Sequence, residues 1–259
     1  MNEGSEGGSP DPAHPIQPPL RFTGIVASAG RVYRACLRQL VGTFAVIATV
    51  IFFVPALVFF DVGDNLAIGI YILAGVVLPS ALLSVAFAVA ATILSRYLEG
   101  DDHTVRASIR ALRPRTKDIL FAALISGMLS LTIVVFLGPF GSLLIALFYG
   151  PPILIQVIAV RKLGIHPAWA RTRELMEGHW ARILMALLTI ALALGVLATT
   201  LLTLGGEMTA DAPRAAQLVI FVVLELVIFG FGYSYLSAAG YVAYYDVSAR
   251  FDEPSDSAG

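Results

Sequence analysis

The chain has 259 residues, of which 58% are hydrophobic and 14% are charged, and its net charge is −1. A soluble domain has about 45–50% apolar and about 25% charged residues, so this composition excludes an ordinary soluble domain and favours a polytopic membrane protein. The single cysteine, Cys36, excludes an intrachain disulfide.

The two ends of the chain are polar. Residues 1–20 are rich in Gly, Pro, Ser and acidic residues, hold no Lys or Arg before position 21, and lack the basic and apolar regions of a signal peptide. We expect a disordered tail there and another over residues 251–259. Because the first tail carries no basic residue, a nucleic-acid-binding arm is excluded, and we expect no nucleic-acid partner.

Between the tails, six apolar stretches are each long enough to cross a hydrocarbon core of about 30 Å as a helix. They occupy about 39–60, 66–97, 118–137, 140–160, 181–204 and 215–245. Short links join them into three pairs. The sequence therefore predicts an all-α domain over residues 21–250, with six transmembrane helices arranged as three hairpins.

A basic amphipathic segment, which we call a lead-in, precedes each predicted hairpin. The first covers residues 22–38, where an apolar stripe and an arginine stripe share one helical projection. The apolar stripe consists of Ile25, Ala29, Val32 and Cys36, and the basic stripe includes Arg31 and Arg34. We expect this helix to lie in the membrane interface.

The second lead-in follows the second predicted span. Its apolar stripe is Val105, Ile109 and Leu112, and Arg106, Arg110 and Arg113 form the adjacent stripe. Asp101 or Asp102 should cap the helix by accepting hydrogen bonds from its free backbone N–H groups. Pro114 should end it, because proline cannot continue a helical hydrogen-bond ladder.

The third lead-in is Ile165–Trp180. Five residues are predicted to share its apolar face, namely Ile165, Trp169, Thr172, Met176 and Trp180. Arg171 and Arg173 flank this face, where arginine can reach lipid headgroups while its aliphatic stem covers apolar surface. Tryptophan favours the same interfacial depth, which strengthens the prediction of an interfacial helix.

The distribution of charge predicts the orientation. Of the 17 basic residues, all except Arg214 fall on one side of the six predicted spans. The positive-inside rule then places both termini and all three lead-ins in the cytoplasm. We expect a multi-pass protein of a bacterial plasma membrane, since Arg greatly outnumbers Lys, as in proteins from GC-rich bacterial genomes.

The same basic and aromatic residues are candidates for contact with anionic lipid headgroups. They are Arg31, Arg34, Arg106, Arg110, Arg113, Arg171, Arg173, Trp169 and Trp180. A basic residue near an anionic membrane surface contributes about 1 kcal/mol to binding. The alternative is that these charges only set the topology.

Three further candidates fall near the middle of the predicted spans. Glu225 is a carboxylate deep inside the sixth span, Pro151 belongs to a Gly-Pro-Pro break in the fourth, and Gln156 lies about one turn beyond that break. Intramembrane acids and broken helices mark transport sites in many membrane proteins. They also serve as helix contacts and kinks, so a purely structural role stays open.

Four stretches of the chain resemble one family. They are FTGIVASAGRVYRACLRQLVGTF, the Tyr97–Gly100 end of the second span, AWARTRELMEGHWARIL and Tyr244–Asp246. Over residues 22–251 the chain resembles the membrane domain that accompanies the catalytic domain of some bacterial glycerophosphodiester phosphodiesterases and also occurs alone as a six-span protein. The resemblance implies a membrane module without an active site, because no soluble region here is large enough for the catalytic barrel.

No pattern of catalytic, metal-binding or cofactor-binding residues accompanies these features. The four histidines have no paired spacing that suits a metal site, and no histidine lies in a predicted span to activate a serine. We therefore expect no enzyme activity, catalytic residue, cofactor or metal. The predicted function is a membrane module that interacts with lipid or with a membrane-protein partner. The alternative is a small transporter or channel with a site near Glu225 and the Gly-Pro-Pro break.

Overall fold

The structure is a computed structural model that describes residues 16, 20–59, 77–128, 151–177, 180–209 and 212–252. Regular secondary structure among these residues is entirely helical. The all-α prediction is therefore confirmed for the described part of the chain.

The described residues form ten α-helices. They are α1 (Phe22–Ala35), α2 (Leu37–Phe59), α3 (Leu78–Leu98), α4 (Val105–Leu112), α5 (116–128), α6 (Pro151–Arg161), α7 (Ile165–Met176), α8 (Trp180–Met208), α9 (Arg214–Val227) and α10 (Ser234–Asp252). A 3-10 turn, Arg113–Arg115, links α4 to α5, and a π-helical turn, Ile228–Tyr233, links α9 to α10.

Helix α3 lies at the centre of the bundle and packs against α2, α4, α6 and α10. Its residues from Ala86 to Ser95 are all buried, so this stretch is surrounded by other helices, and four of them are the small residues Ala86, Ala88, Ala90 and Ala91. Small side chains let helix backbones approach closely, which stabilises helix contacts in a bilayer where all side chains are equally surrounded by hydrocarbon. The apolar core therefore forms around α3.

Several described helices are long and apolar enough to cross a membrane. They are Leu78–Leu98, Leu187–Met208 and Val222–Ala249, and the bent pair Phe22–Ala35 and Leu37–Ile51 adds a fourth if it counts as one span. These helices are compatible with a multi-pass membrane protein. The second, third and fourth predicted spans extend into residues 60–76 and 129–150, which lie outside the described residues, so the count of six stays a prediction.

Helices α1 and α2 meet at 86°, which separates the first lead-in from the helix that follows it. Every member of the predicted apolar stripe of α1 (Ile25, Ala29, Val32 and Cys36) is buried. Helix α1 packs against α10 through this face. The periodicity of the sequence therefore identified the correct packing face of this lead-in.

Two residues within the predicted N-terminal tail, Ile16 and Leu20, are buried in the hydrophobic core. The backbone N–H of Leu20 donates a hydrogen bond of 2.6 Å to the Asp246 carboxylate on α10. Most residues of this segment are polar, Gly or Pro, so its average composition predicts a tail even though two of its apolar side chains pack against the core.

The sixth predicted span is interrupted by the π-helical turn. The wider hydrogen bonding of such a turn leaves backbone carbonyls in need of donors. The hydroxyl of Ser234 donates to the carbonyl of Gly230, and the hydroxyl of Tyr33 on α1 donates to that of Phe231 at 3.4 Å. A side chain from the first helix therefore supports an irregularity in the last part of the chain.

Candidate functional site

Helix α4 begins with a cap that differs from the predicted one. The hydroxyl of Thr104 accepts a hydrogen bond of 3.3 Å from the N–H of Ala107, so Thr104 is the N-cap residue. The Asp102 carboxylate binds the N-cap residue itself and not the helix, because it accepts a 3.0 Å hydrogen bond from the N–H of Thr104. This backbone hydrogen bond, aided by the Thr104 hydroxyl, lowers the pKa of Asp102. The prediction of Asp101 or Asp102 as the cap was therefore wrong.

The two predicted stripes of α4 occupy neighbouring faces. Arg106, Arg110 and the following Arg113 are all exposed, as expected of residues that could meet headgroups. Val105, Ile109 and Leu112 line a cavity on the other face. The helix therefore separates an arginine-bearing surface from an apolar space.

This space, which we call the apolar groove, has a volume of about 590 Å³. Its wall is formed by Gly42, Thr43, Val46 and Ile47 of α2, Val85, Ala88 and Val89 of α3, Val105, Ile109 and Leu112 of α4, and Thr116, Ile119 and Leu120 of α5. Ligand pockets in proteins commonly measure 300–1,000 Å³. The groove is therefore large enough for a small ligand or part of a lipid.

The groove exists because small residues leave space between α2 and α3. Gly42 has no side chain, and no heavy atom lies within 4 Å of the place where its Cβ would stand. Ala88 lines the groove from α3. Sequence reasoning missed this cavity. A signal that could have indicated it is the four-residue spacing of the small residues Ser84, Ala88 and Thr92, which places a small-residue face on α3.

The hydroxyl groups of the groove are already engaged. Thr43 donates to the carbonyl of Gln39 at 2.8 Å, and Thr116 donates to that of Arg113 at 2.9 Å. The remaining lining side chains are hydrocarbon or, at Gly42, hydrogen. An occupant of this groove would therefore gain mainly from apolar burial, because the wall offers few free hydrogen-bonding groups.

The basic residues of α1 are placed as the sequence predicts. Arg31 and Arg34 are exposed, opposite the buried stripe of that helix. The guanidinium of Arg31 donates to the hydroxyl of Ser28 at 3.0 Å. These two arginines therefore lie on a surface that can meet headgroups.

The packing face of α7 differs from the predicted one. Ala168 and Leu175 are buried against the protein, whereas Trp169 is 57% exposed. Arg173 is exposed, and Arg171 forms an ion pair of 3.2 Å with Glu174. A helical projection groups apolar residues without distinguishing those that pack on protein from those that face a membrane. The side chain of Trp180 lies outside the described residues.

The three lead-ins do not form one cluster. Helices α1 and α7 both contact α10, whereas α4 contacts α3. The candidate headgroup residues are therefore distributed around the bundle. Among them, those of α4 stand beside a cavity.

The predicted mid-span candidates are placed only in part. Pro151 is the first residue of α6, while the residues before it in the Gly-Pro-Pro break lie outside the described part of the chain. Glu225 belongs to α9, three positions before the π-helical turn, and its side chain lies outside the described residues. The described residues therefore do not test a shared site for these candidates, and the transport alternative stays a prediction.

Gln156 is fully buried on α6. Neither its amide oxygen nor its amide nitrogen has a hydrogen-bond partner among the described residues. Its Nε2 lies 3.2 Å from the place where a Cβ on Gly240 of α10 would stand. Gln156 therefore lies at the contact between α6 and α10, where the absence of a side chain on Gly240 leaves room for it.

Within the described residues, no group of three or more His, Cys, Asp or Glu side chains could hold a metal ion. The search for similar proteins found no match to this chain among protein-family models, curated proteins or solved structures. The resemblance to the phosphodiesterase membrane domain therefore stays a prediction that depends on the residues quoted for it.

Proposed function

We propose that this protein is a non-enzymatic integral membrane module that binds anionic phospholipid. One acyl chain lies in the apolar groove, and the headgroup lies beside the arginines of α4. The positive-inside rule supports a cytoplasmic position for this surface in a bacterial plasma membrane. The observation that carries the proposal is the position of the groove. It is lined by one face of α4, and the neighbouring face exposes Arg106 and Arg110, followed by the exposed Arg113 in the next turn.

Hydrocarbon is the occupant that the groove wall favours. Ile109 lines the groove and remains 54% exposed, so an acyl chain would cover apolar surface that the protein itself leaves open. Burying apolar area contributes about 25 cal/mol per Å² removed from water. In a membrane this gain is smaller, because an acyl chain that leaves the groove is still surrounded by the hydrocarbon of other lipids. Shape and charge should therefore decide which lipid binds.

Charge should come from Arg106, Arg110 and Arg113. Each basic residue near an anionic surface contributes about 1 kcal/mol, so three of them correspond to about 3 kcal/mol, or roughly a hundredfold in affinity. A zwitterionic lipid of the same chain length would fill the groove without this gain. The proposal therefore predicts a preference for anionic lipid.

The test is a titration of the detergent-purified protein with phosphatidylglycerol and with phosphatidylcholine of identical chains, with bound lipid counted by native mass spectrometry. Wild type should prefer phosphatidylglycerol. The triple variant R106Q/R110Q/R113Q should lose roughly a hundredfold in affinity for phosphatidylglycerol and little for phosphatidylcholine. Equal binding of the two lipids by wild type would refute the proposal.

A second variant tests the contribution of the groove to lipid binding independently of the arginines. Gly42→Leu should fill the groove and weaken binding of both lipids. Gly195→Leu on α8 is the matched control, because a Cβ at Gly195 also meets no heavy atom within 4 Å and Gly195 does not line the groove. If both leucine variants bind lipid as wild type does, the acyl chain is not in the groove.

A further inference from the structure

A second cavity, which we call the polar pocket, is separate from the groove. It has a volume of about 380 Å³ and is lined from α3, α6 and α10. The residues that give it chemical character are Ser95, Glu99, Arg161, Tyr241, Tyr244 and Ser248. The pocket shares no lining residue with the apolar groove.

The negative charge of the pocket is Glu99, at the C-terminal end of α3. Its carboxylate accepts a hydrogen bond of 2.5 Å from the hydroxyl of Ser95. The C-terminus of a helix carries a partial negative charge of its own, which adds to that of the carboxylate. This side of the pocket therefore favours a cation.

The positive charge is Arg161, the last residue of α6. Its guanidinium donates to the hydroxyl of Ser248 at 2.6 Å and to that of Tyr244 at 3.3 Å. These bonds to α10 hold the guanidinium at the pocket wall. A planar guanidinium with neighbouring hydroxyl donors matches the oxygens of a phosphate group.

Aromatic rings complete the wall. Tyr241 and Tyr244 stand 6.2 Å apart with their planes tilted by 51°, and Tyr245 also lines the pocket. The faces of aromatic rings attract ammonium groups, most strongly when the cation has lost its water. Carboxylate and tyrosines together resemble the arrangement that binds an alkylammonium ion, while arginine and hydroxyls suit an anion.

From these observations we infer that the polar pocket binds a small zwitterion that carries an ammonium group and a phosphate group. The ammonium lies between Glu99 and the tyrosines, and the phosphate lies at Arg161. Two sources share this chemistry, namely the headgroup of a zwitterionic phospholipid and a free phosphorylated amino alcohol. This ligand differs in charge and in site from the anionic lipid proposed for the groove.

The experiment uses the full chain and two probes, O-phosphoethanolamine and inorganic phosphate, with affinity measured by calorimetry in detergent. Glu99→Gln should weaken binding of O-phosphoethanolamine about tenfold or more and leave phosphate binding nearly unchanged. Arg161→Gln should weaken both probes about tenfold or more, because a hydrogen bond to a charged group contributes at this level. If Glu99 and Arg161 only stabilised the fold, each substitution would lower the affinity for O-phosphoethanolamine and for phosphate to the same extent.

A parallel arm replaces the free probe with phosphatidylethanolamine in nanodiscs. Binding of this lipid alone assigns the pocket to a headgroup, and binding of O-phosphoethanolamine assigns it to a soluble ligand as well. Glu174→Gln on α7 is the matched control, since Glu174 is an exposed carboxylate away from the pocket. The inference is overturned if wild type binds neither form, if Glu99→Gln weakens both probes equally, or if Arg161→Gln leaves phosphate binding unchanged. Groove lipid binding in both variants shows that they remain folded.

Discussion

At the scale of single residues, Gln156 is the clearest departure from simple packing. A buried amide without a partner destabilises a protein by the desolvation of its polar atoms, about 1–3 kcal/mol. Both amide atoms of Gln156 are in this state among the described residues. The sequence singles out Gln156 as a polar residue in a predicted span. It cannot show whether the amide finds a partner, because that depends on α10, which is distant in the chain.

We predict that Gln156→Met raises the free energy of unfolding by about 1–3 kcal/mol, since it removes the unpaired amide at similar volume. Unfolding in SDS, followed by circular dichroism, measures the change. Gln217→Met is the matched control and should lower stability, because the Gln217 amide donates to the carbonyls of Thr209 and Ala212 at 2.9 and 3.1 Å. A loss of stability in Gln156→Met would show that its amide has a partner, such as water, in the membrane.

At the scale of helices, Gly127 is the glycine among the described residues whose Cβ would come within 3.0 Å of a backbone atom. A Cβ at Gly127 on α5 would stand 2.9 Å from the backbone carbonyl oxygen of Val77, just before α3. A backbone atom cannot move aside as a flexible side chain can. The contact between α5 and the start of α3 therefore requires glycine at this position.

Gly127→Ala should lower the free energy of unfolding by about 1–2 kcal/mol, because a clash of about 1–3 kcal/mol exceeds the gain of up to about 1 kcal/mol from alanine in a helix. Gly195→Ala should raise stability or leave it unchanged, since its surroundings are open. Thermal unfolding in detergent compares the two variants. Equal effects would mean that α5 and α3 do not approach as described.

At the scale of the whole molecule, Leu20 near the start of the described chain is joined to the last helix. Leu20 and Asp246 are separated by 226 positions in the chain, and a hydrogen bond connects them. Asp246 is 1% exposed, so its carboxylate depends on such donors. This contact and the packing of α1 on α10 bring the two ends of the described chain together.

Asp246→Val should lower the free energy of unfolding by about 1–3 kcal/mol or more, because the buried Leu20 amide would lose a charged acceptor. Thermal unfolding in detergent provides the measurement. Asp101→Val is the control, since Asp101 is an exposed residue whose surface ion pair with Arg96 contributes about 0–1 kcal/mol. Similar small losses in both variants would show that the Leu20 contact does not stabilise the fold.

Sequence periodicity predicts the parts of the fold that depend on neighbouring residues. The apolar stripe of α1 and the exposed arginines of α4 follow from a helical repeat. The apolar groove and the polar pocket combine helices that are far apart in the chain, so no local pattern indicates them. Helix α7 shows a different limit, because Trp169 is apolar and yet remains outside the packed face.

The π-helical turn between α9 and α10 holds one residue more than an α-helix of the same rotation would need. Its hydrogen bonds join residues five positions apart, whereas those of an α-helix join residues four positions apart. The six residues of the turn, Ile228–Tyr233, therefore cover about the rotation of five α-helical residues, roughly 500°. Deleting one residue from the turn would convert it to α-helix and leave the pocket tyrosines and Asp246 near their present faces, whereas a deletion in α10 before Tyr241 would rotate them by about 100°. Homologous chains that share this fold should consequently lose a residue in the turn more readily than in α10.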